Sequence, residues 1–356
     1  MDNLKSSSPT TYQPQHVQFI GSVPLSSSTE VFTTISKALP GRLLRIPDGE
    51  TGKRWNFVAW QHEAFASTPQ IIRQLGLGSA MPDGTEGPNA KIDVASIGYD
   101  DMALESYAEF CKLRDAGVIE KGVKFQVSLP TPVNTIAVCV QPPHQAEAEA
   151  VYEPKLLKAV RKIQDNIPAE DLAIQWDMAI EVLMLETVSL AAPLWESIAQ
   201  AWFDPVKEGI KERVNRLTKA VDPCVQLGYH ICYGDLHHRH FANPKDMSLL
   251  VEIANILPDI TDRKVDWVHM PVPKDRADEA YFAPLKGLKL KDETELSLGL
   301  VHAHDEEGTR KKIEVASGFV DKFSLATECG CGRHGKEEFE DVLKIMSSVT
   351  SKSSSG

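Results

Sequence analysis

Eight short apolar runs, each separated from the next by enough chain for a helix, constrain this 356-residue sequence more than any other feature. They read "VQFIGSVP" (17–24), "RLLRIPDGE" (42–50), "VKFQVSLP" (123–130), "LAIQWDM" (172–178), "VQLGYHICY" (225–233), "VDWVHMPV" (265–272), "LSLGLVHA" (296–303) and "FSLATECG" (323–330). Short runs rich in Val, Ile, Leu and aromatics, bounded by Gly, Pro or charge, fit strands. Stretches such as "EPKLLKAVRKIQDN" (153–166) and "GTRKKIEVASGFVDKF" (308–323) fit helices. Strand–helix alternation builds a parallel sheet, because parallel neighbours need a crossover. Eight such units predict a closed (β/α)8 TIM barrel. No Pro/Ser-rich linker interrupts residues 16–346, so one domain is expected there, flanked by disordered tails at 1–15 and 347–356.

Composition narrows the partners. The net charge is −12 and no Lys/Arg run is present, which argues against nucleic acid and anionic membranes. No apolar run approaches the ~18 residues of a membrane span, and the first residues lack a signal-peptide core. A cytoplasmic protein acting on small molecules is expected. Six cysteines (111, 139, 224, 232, 329, 331) are few for this length, and in a reducing compartment clustered ones serve as ligands or catalysts rather than as a disulfide framework.

Barrel active sites gather at the C-terminal ends of the strands. Asp48 and Glu50 close the second run, Asp177 the fourth, His230 and Cys232 the fifth, His269 the sixth, His302 and His304 the seventh, and Glu328 and Cys329 the eighth. In a closed parallel barrel these side chains meet at one mouth, which points to an enzyme. Asp177, Glu50 and His302 are candidate catalytic groups. Ser22, Asp48, Glu50, Arg54 and Asp177 are candidates for holding substrate.

The stretch "GYHICYGDLHHRHF" (228–241) concentrates metal-binding residue types. His230 and Cys232 are two apart, so on a strand they face the same side. An imidazole and a thiolate suit Zn²⁺, which takes four ligands and in catalytic sites leaves one position for substrate. Cys329 is the best third ligand, and His269, Glu328, Cys331 or water could complete the set. The competing reading is two small buried cysteines beside a hydrogen-bonded histidine. "HHRH" (237–240) could form a second metal set, but reads more simply as a solvated or substrate-facing loop after the fifth strand. In "ECGCGR" (328–333), Gly330 and Gly332 suit a tight turn or an anion-binding nest. Arg45 and Arg54 flank "PDGETG" (47–52) and could hold a carboxylate. The glycine-rich stretch 76–87 lacks the Lys-Ser/Thr of a phosphate loop, and no dinucleotide fingerprint or nucleophile elbow is present.

Taken in order, "FIGSVP", "DGE", "QWDMAIEVLML", "GYHICYGD", "GLVHAHDEEG" and "ATECGCG" resemble the C-terminal catalytic barrel of cobalamin-independent methionine synthase and its single-barrel relatives, over residues 17–346. That superfamily is also similar in fold to uroporphyrinogen decarboxylase. The resemblance implies that His230, Cys232 and Cys329 bind zinc, that the metal acidifies a substrate thiol for attack on a methyl or other alkyl carbon, and that Glu50 and Asp177 hold the amino group of the thiol substrate. Two departures stand out. The family's remaining ligand, a Glu on the sixth strand, falls on Pro271, and His269, on the same face, is expected to replace it. The second barrel that helps full-length synthases bind polyglutamated folate is absent from this sequence, which implies a changed substrate. The rival expectations are a zinc-free decarboxylase or other lyase, and a non-catalytic metabolite-binding barrel.

Overall fold

The computed structural model describes residues 12–56, 58–73, 91–186, 190–236 and 239–351. The glycine-rich stretch 76–87 and His237 and His238 of "HHRH" lie outside these residues. Eight parallel strands form the barrel: β1 (Val17–Gln18), β2 (Arg45–Pro47), β3 (Lys124–Pro130), β4 (Leu172–Met178), β5 (Gln226–Ile231), β6 (Trp267–Pro271), β7 (Glu295–Val301) and β8 (Ser324–Thr327). Their spatial order is β1-β8-β7-β6-β5-β4-β3-β2. A parallel bridge between Val17 and Leu43 closes the ring, so the architecture is a (β/α)8 TIM barrel.

The strands are buried on both faces, as a helix-wrapped barrel requires; all seven residues of β4 are buried. The outer layer follows from helical spacing. The helix Gln145–Asn166 turns Ala148, Tyr152, Leu156, Ala159 and Ile163 inward at intervals of three and four. The helix Glu306–Ser317 starts where the Asp305 side chain accepts from Gly308 N at 3.1 Å. The last helix runs from Lys336 to Val349, past the boundary at 346 read from the sequence. Residues of both expected tails also pack: Tyr12 Oη donates to Phe323 O, and Ser351 N to Pro14 O. No helix among the described residues is long and apolar enough to cross a membrane.

The second run is shorter as a strand than its apolar character suggests. After Pro47 the chain turns through Gly49 (φ 81°) and Glu50 (φ 48°), both left-handed. Asp48 Oδ1 accepts from Glu50 N at 2.9 Å and holds that turn. A left-handed glutamate is uncommon and costs backbone energy, which the surrounding contacts must offset.

The barrel interior is polar for much of its length. Arg45 begins β2, at the end of the barrel opposite the mouth. Its guanidinium contacts Glu295 Oε2 at 2.8 Å, Gln18 Oε1 at 3.0 Å and Gln226 Oε1 at 2.9 Å, and covers the Trp267 ring at 4.1 Å. The expected carboxylate-binding role beside Arg54 is therefore not available to Arg45. Strand direction, which near neighbours in sequence do not reveal, separates the two arginines.

Gly228 makes room for Trp267, its register partner across β5 and β6; a Cβ at 228 would lie 1.9 Å from the indole. Gly228→Ala is expected to displace Trp267, breaking its contacts with Arg45 and with Gln175, and to destabilise the fold by about 3 kcal/mol. Urea unfolding checks this; an unchanged midpoint would contradict the packing.

Candidate functional site

The barrel mouth collects side chains from both halves of the chain. β5 presents His230, and Cys232 follows it directly. Cys329 lies just past β8. One ligand atom from each of these three residues lies within 4.8 Å of the other two. His230 Nε2 is 3.7 Å from Cys329 Sγ. His230 and Cys232 are buried, and Cys329 is partly so. A hydrogen bond from Cys232 holds the Cys329 thiol well below its ordinary pKa against the opposing effect of burial, with Arg333 adding to the shift. One imidazole nitrogen and two thiols, one biased toward thiolate, form a donor set that fits zinc.

His269, expected as a ligand, stands behind this group. Its Nδ1 meets His230 Nδ1 at 2.7 Å and its Nε2 meets Thr327 O at 3.1 Å. Both ring nitrogens are thus engaged away from the cysteines. Complete burial keeps the ring far below the ordinary histidine pKa and so neutral. Cys331 is also set apart: its Sγ contacts Thr327 Oγ1 at 3.6 Å, and burial pushes its pKa up to about 12. Glu328 turns toward His240 Nε2 (2.5 Å) and His302 Nδ1 (3.8 Å).

His230, Cys232 and Cys329 share a pocket with Glu50, Asp177 and Ser22. Both carboxyls are buried. Burial first, then the nearby Asp177 and Asp48, push Glu50 well above the usual carboxylate range. Burial raises Asp177 in the same direction, opposed by a hydrogen bond from Gln175 Nε2 at 2.7 Å. Among the described residues Glu50 Oε1 has no hydrogen-bond partner. It lies over Gly21, where a Cβ would sit 2.6 Å from it. An acceptor buried without a partner at a pocket wall calls for a donor from a ligand, since leaving it unmade costs about 1–3 kcal/mol.

Asp48 and Arg54, expected at the substrate, instead support Glu50 from below. Arg54 Nη2 pairs with Asp48 Oδ2 at 2.9 Å, which also accepts from Ser106 Oγ at 2.7 Å. Neither residue lines the pocket that holds His230, Cys232 and Cys329. His302 is likewise outside it. Its Nε2 donates to Val272 O at 3.0 Å, and burial pushes its pKa down to about 3. His304 is exposed at the rim beside Asp341. Gly330 and Gly332 serve close approach rather than an anion nest: each lies against Ser22, and Cys331 N donates to Ser22 O at 2.7 Å.

The apolar wall was not singled out from sequence. Trp195 and Phe241 stack at 3.7 Å between centroids, and with Val58, Val138, Ile180 and Ile198 they line the pocket above the sulfurs. Phe241 packs onto Gly234 (φ 71°), where a Cβ would meet the ring at 2.1 Å. Both aromatics follow strand ends, β4 and β5, which is the signal that could have found them.

No family model matches the sequence, and no curated protein matches it. Solved structures do match in fold. A B12-independent methionine synthase from Shewanella sp. W3-18-1, in complex with selenomethionine, superposes with a TM-score of 0.61 at 14% identity over 94% of this chain and 96% of its own. A putative vitamin-B12 independent methionine synthase from Listeria monocytogenes gives 0.52 at 16% identity, over 94% and 95%. The chain thus shares its barrel fold with these two structures along nearly its whole length.

A carboxyl with a raised folded pKa binds its proton more tightly in the fold than when unfolded, so its contribution to stability is full below the unfolded pKa and fades as pH rises toward the folded one. Glu50→Gln is therefore expected to raise the melting temperature of the ligand-free protein at pH 7.5. The advantage should shrink as pH falls toward about 4.5, changing by at most about 1.4 kcal/mol per pH unit. Thermal unfolding across that range checks it, and a pH-independent difference would contradict the burial argument.

Proposed function

We propose that this chain is a zinc-dependent enzyme that transfers a methyl or other alkyl group to the sulfur of a small amino thiol. The observation that carries the reading is the joining of a His–Cys–Cys donor set and two buried carboxyls, one with a partnerless oxygen, in a single pocket. The shared fold with a methionine synthase bound to selenomethionine supports it. His230, Cys232 and Cys329 would hold the metal, which when bound lowers the pKa of a ligated thiol so that thiolate is present at neutral pH.

The remaining work falls to the chain. Glu50 and Asp177 accept an ammonium group, and the arriving cation restores their ionised forms by offsetting burial and mutual repulsion. This anchors the thiol's amino end while its sulfur points to the cysteines. Trp195, Phe241 and the aliphatic wall exclude water, which strengthens the charge interactions inside. They also place an alkyl donor opposite the sulfur. The sulfur lone pair forms the new S–C bond as the carbon's bond to its leaving group breaks, and the leaving group departs with that electron pair. Pro271 cannot ligate, so the donor set differs from the four-ligand family pattern, and the reading favours a donor other than methyl-folate.

Protein purified without added zinc is expected to carry about one zinc per chain, and Cys232→Ser to lose it. Full retention in that variant, by elemental analysis, would remove the metal centre. With homocysteine as acceptor, Glu50→Gln should raise KM about 10–100-fold, the worth of one charge-assisted hydrogen bond, and leave turnover of the des-amino thiol unchanged. Equal effects on both thiols would detach Glu50 from the amino group. Robust methionine formation from methyl-tetrahydrofolate would overturn the changed-donor expectation.

A further inference from the structure

His230 and His269 are register partners on adjacent strands, buried, with Nδ1 atoms 2.7 Å apart. At that distance one nitrogen donates and the other accepts, because two bare nitrogens or two N–H groups repel. The far side of His269 settles which is which. Its Nε2 lies 3.1 Å from the Thr327 carbonyl, which can only accept. His269 Nε2 therefore carries the proton. A neutral imidazole has one N–H, so His269 Nδ1 accepts and His230 Nδ1 donates. That leaves His230 Nε2 bare, and this is the atom that faces Cys329 Sγ at 3.7 Å.

We propose that His269 is a positioning residue: the file Thr327 O, His269, His230 locks His230 in its Nδ1–H tautomer and presents Nε2 as the ligand atom. Its purpose rests on the zinc reading above, but the tautomers are a property of the metal-free protein. The arrangement has a second consequence. Thr327 sits two residues before Cys329 on β8, so the same file ties the ring of one ligand to the backbone that carries another. A shift of β8 would move the imidazole and the thiol together.

The test begins with metal-free, ¹⁵N-histidine-labelled protein at pH 7.5. Long-range ¹H–¹⁵N correlation should show His230 as the Nδ1–H tautomer and His269 as the Nε2–H tautomer. His230 found as Nε2–H would overturn the proposal without any variant. His269→Phe keeps a ring in the slot but neither donates nor accepts. His230 should then populate both tautomers, and zinc affinity by chelator competition should fall about 10–100-fold. His269→Asn, whose Oδ1 can accept from His230, should retain affinity within a few fold. Melting of the metal-free variants separates loss of folding from loss of positioning. Unchanged tautomer and affinity in His269→Phe would also sink the idea. Wild-type protein with the stated tautomers but no zinc affinity would leave the file standing and remove the metal reading instead.

Discussion

A hydrogen-bonded file of polar side chains runs along the barrel interior, and the mouth is placed by it. It starts at Glu295, which accepts from Arg45 (2.8 Å). Arg45 donates to Gln18 Oε1 (3.0 Å), Gln18 Nε2 to Gln126 Oε1 (2.5 Å), Gln126 Nε2 to Gln175 Oε1 (3.4 Å), and Gln175 Nε2 to Asp177 Oδ1 (2.7 Å). From Arg45 onward every donor points toward the mouth. The positive ends of the amide dipoles therefore accumulate beneath Asp177 and work against the burial that raises its pKa. Such a file is stable only when complete, since an orphaned buried amide costs more than a made bond returns. Carbonyls of the β1 loop finish the accounting: Gln126 Nε2 also donates to Phe19 O, and Gln175 Nε2 to Ile20 O.

The barrel itself was legible because its evidence is periodic. Eight apolar runs with helical spacing between them leave few other topologies, and the polar residues at their ends fall where barrel chemistry belongs. The side of a strand that a residue faces was also legible: His230 and Cys232 do converge with Cys329. What alternation does not carry is register across the ladder. His269 points inward as period 2 requires, yet its partner is His230 itself, at 2.7 Å, and its remaining nitrogen is taken by Thr327. Arg45 shows the same gap in another form. It is three residues from Asp48, but those residues span the strand, so the pair work at opposite ends. The aromatic wall was hidden for a different reason. Trp195 sits in a helix of only six residues, Pro193–Ile198, and Phe241 on irregular chain, so no sustained period marks which way either ring turns.

Single-residue geometry explains how so divergent a sequence keeps the site compact. Glycines at 21, 234, 330 and 332 are places where another side chain lies against bare backbone: Glu50, Phe241 and, for the last two, Ser22. Each removes a Cβ that would hold the pocket open. The identity shared with the solved barrels is only 14–16%, so close approach of this kind, rather than bulk similarity, is what a substitution would have to respect.

The clamp between Ser22 and the backbone after Cys329 has a consequence for the order in which the molecule can be made. Gly332 N donates to Ser22 Oγ across 310 residues of sequence, and β1 finds its neighbour in the sheet in β8. A ribosome delivers the carboxyl-bearing loops, His230 and Cys232 long before Cys329. Until β8 emerges, the barrel is an open sheet with two raw edges, and the donor set lacks a sulfur. Contacts of such long range form late and slowly. On the zinc reading proposed above, metal capture would follow synthesis, because a nascent chain short of Cys329 offers only two of the three donors.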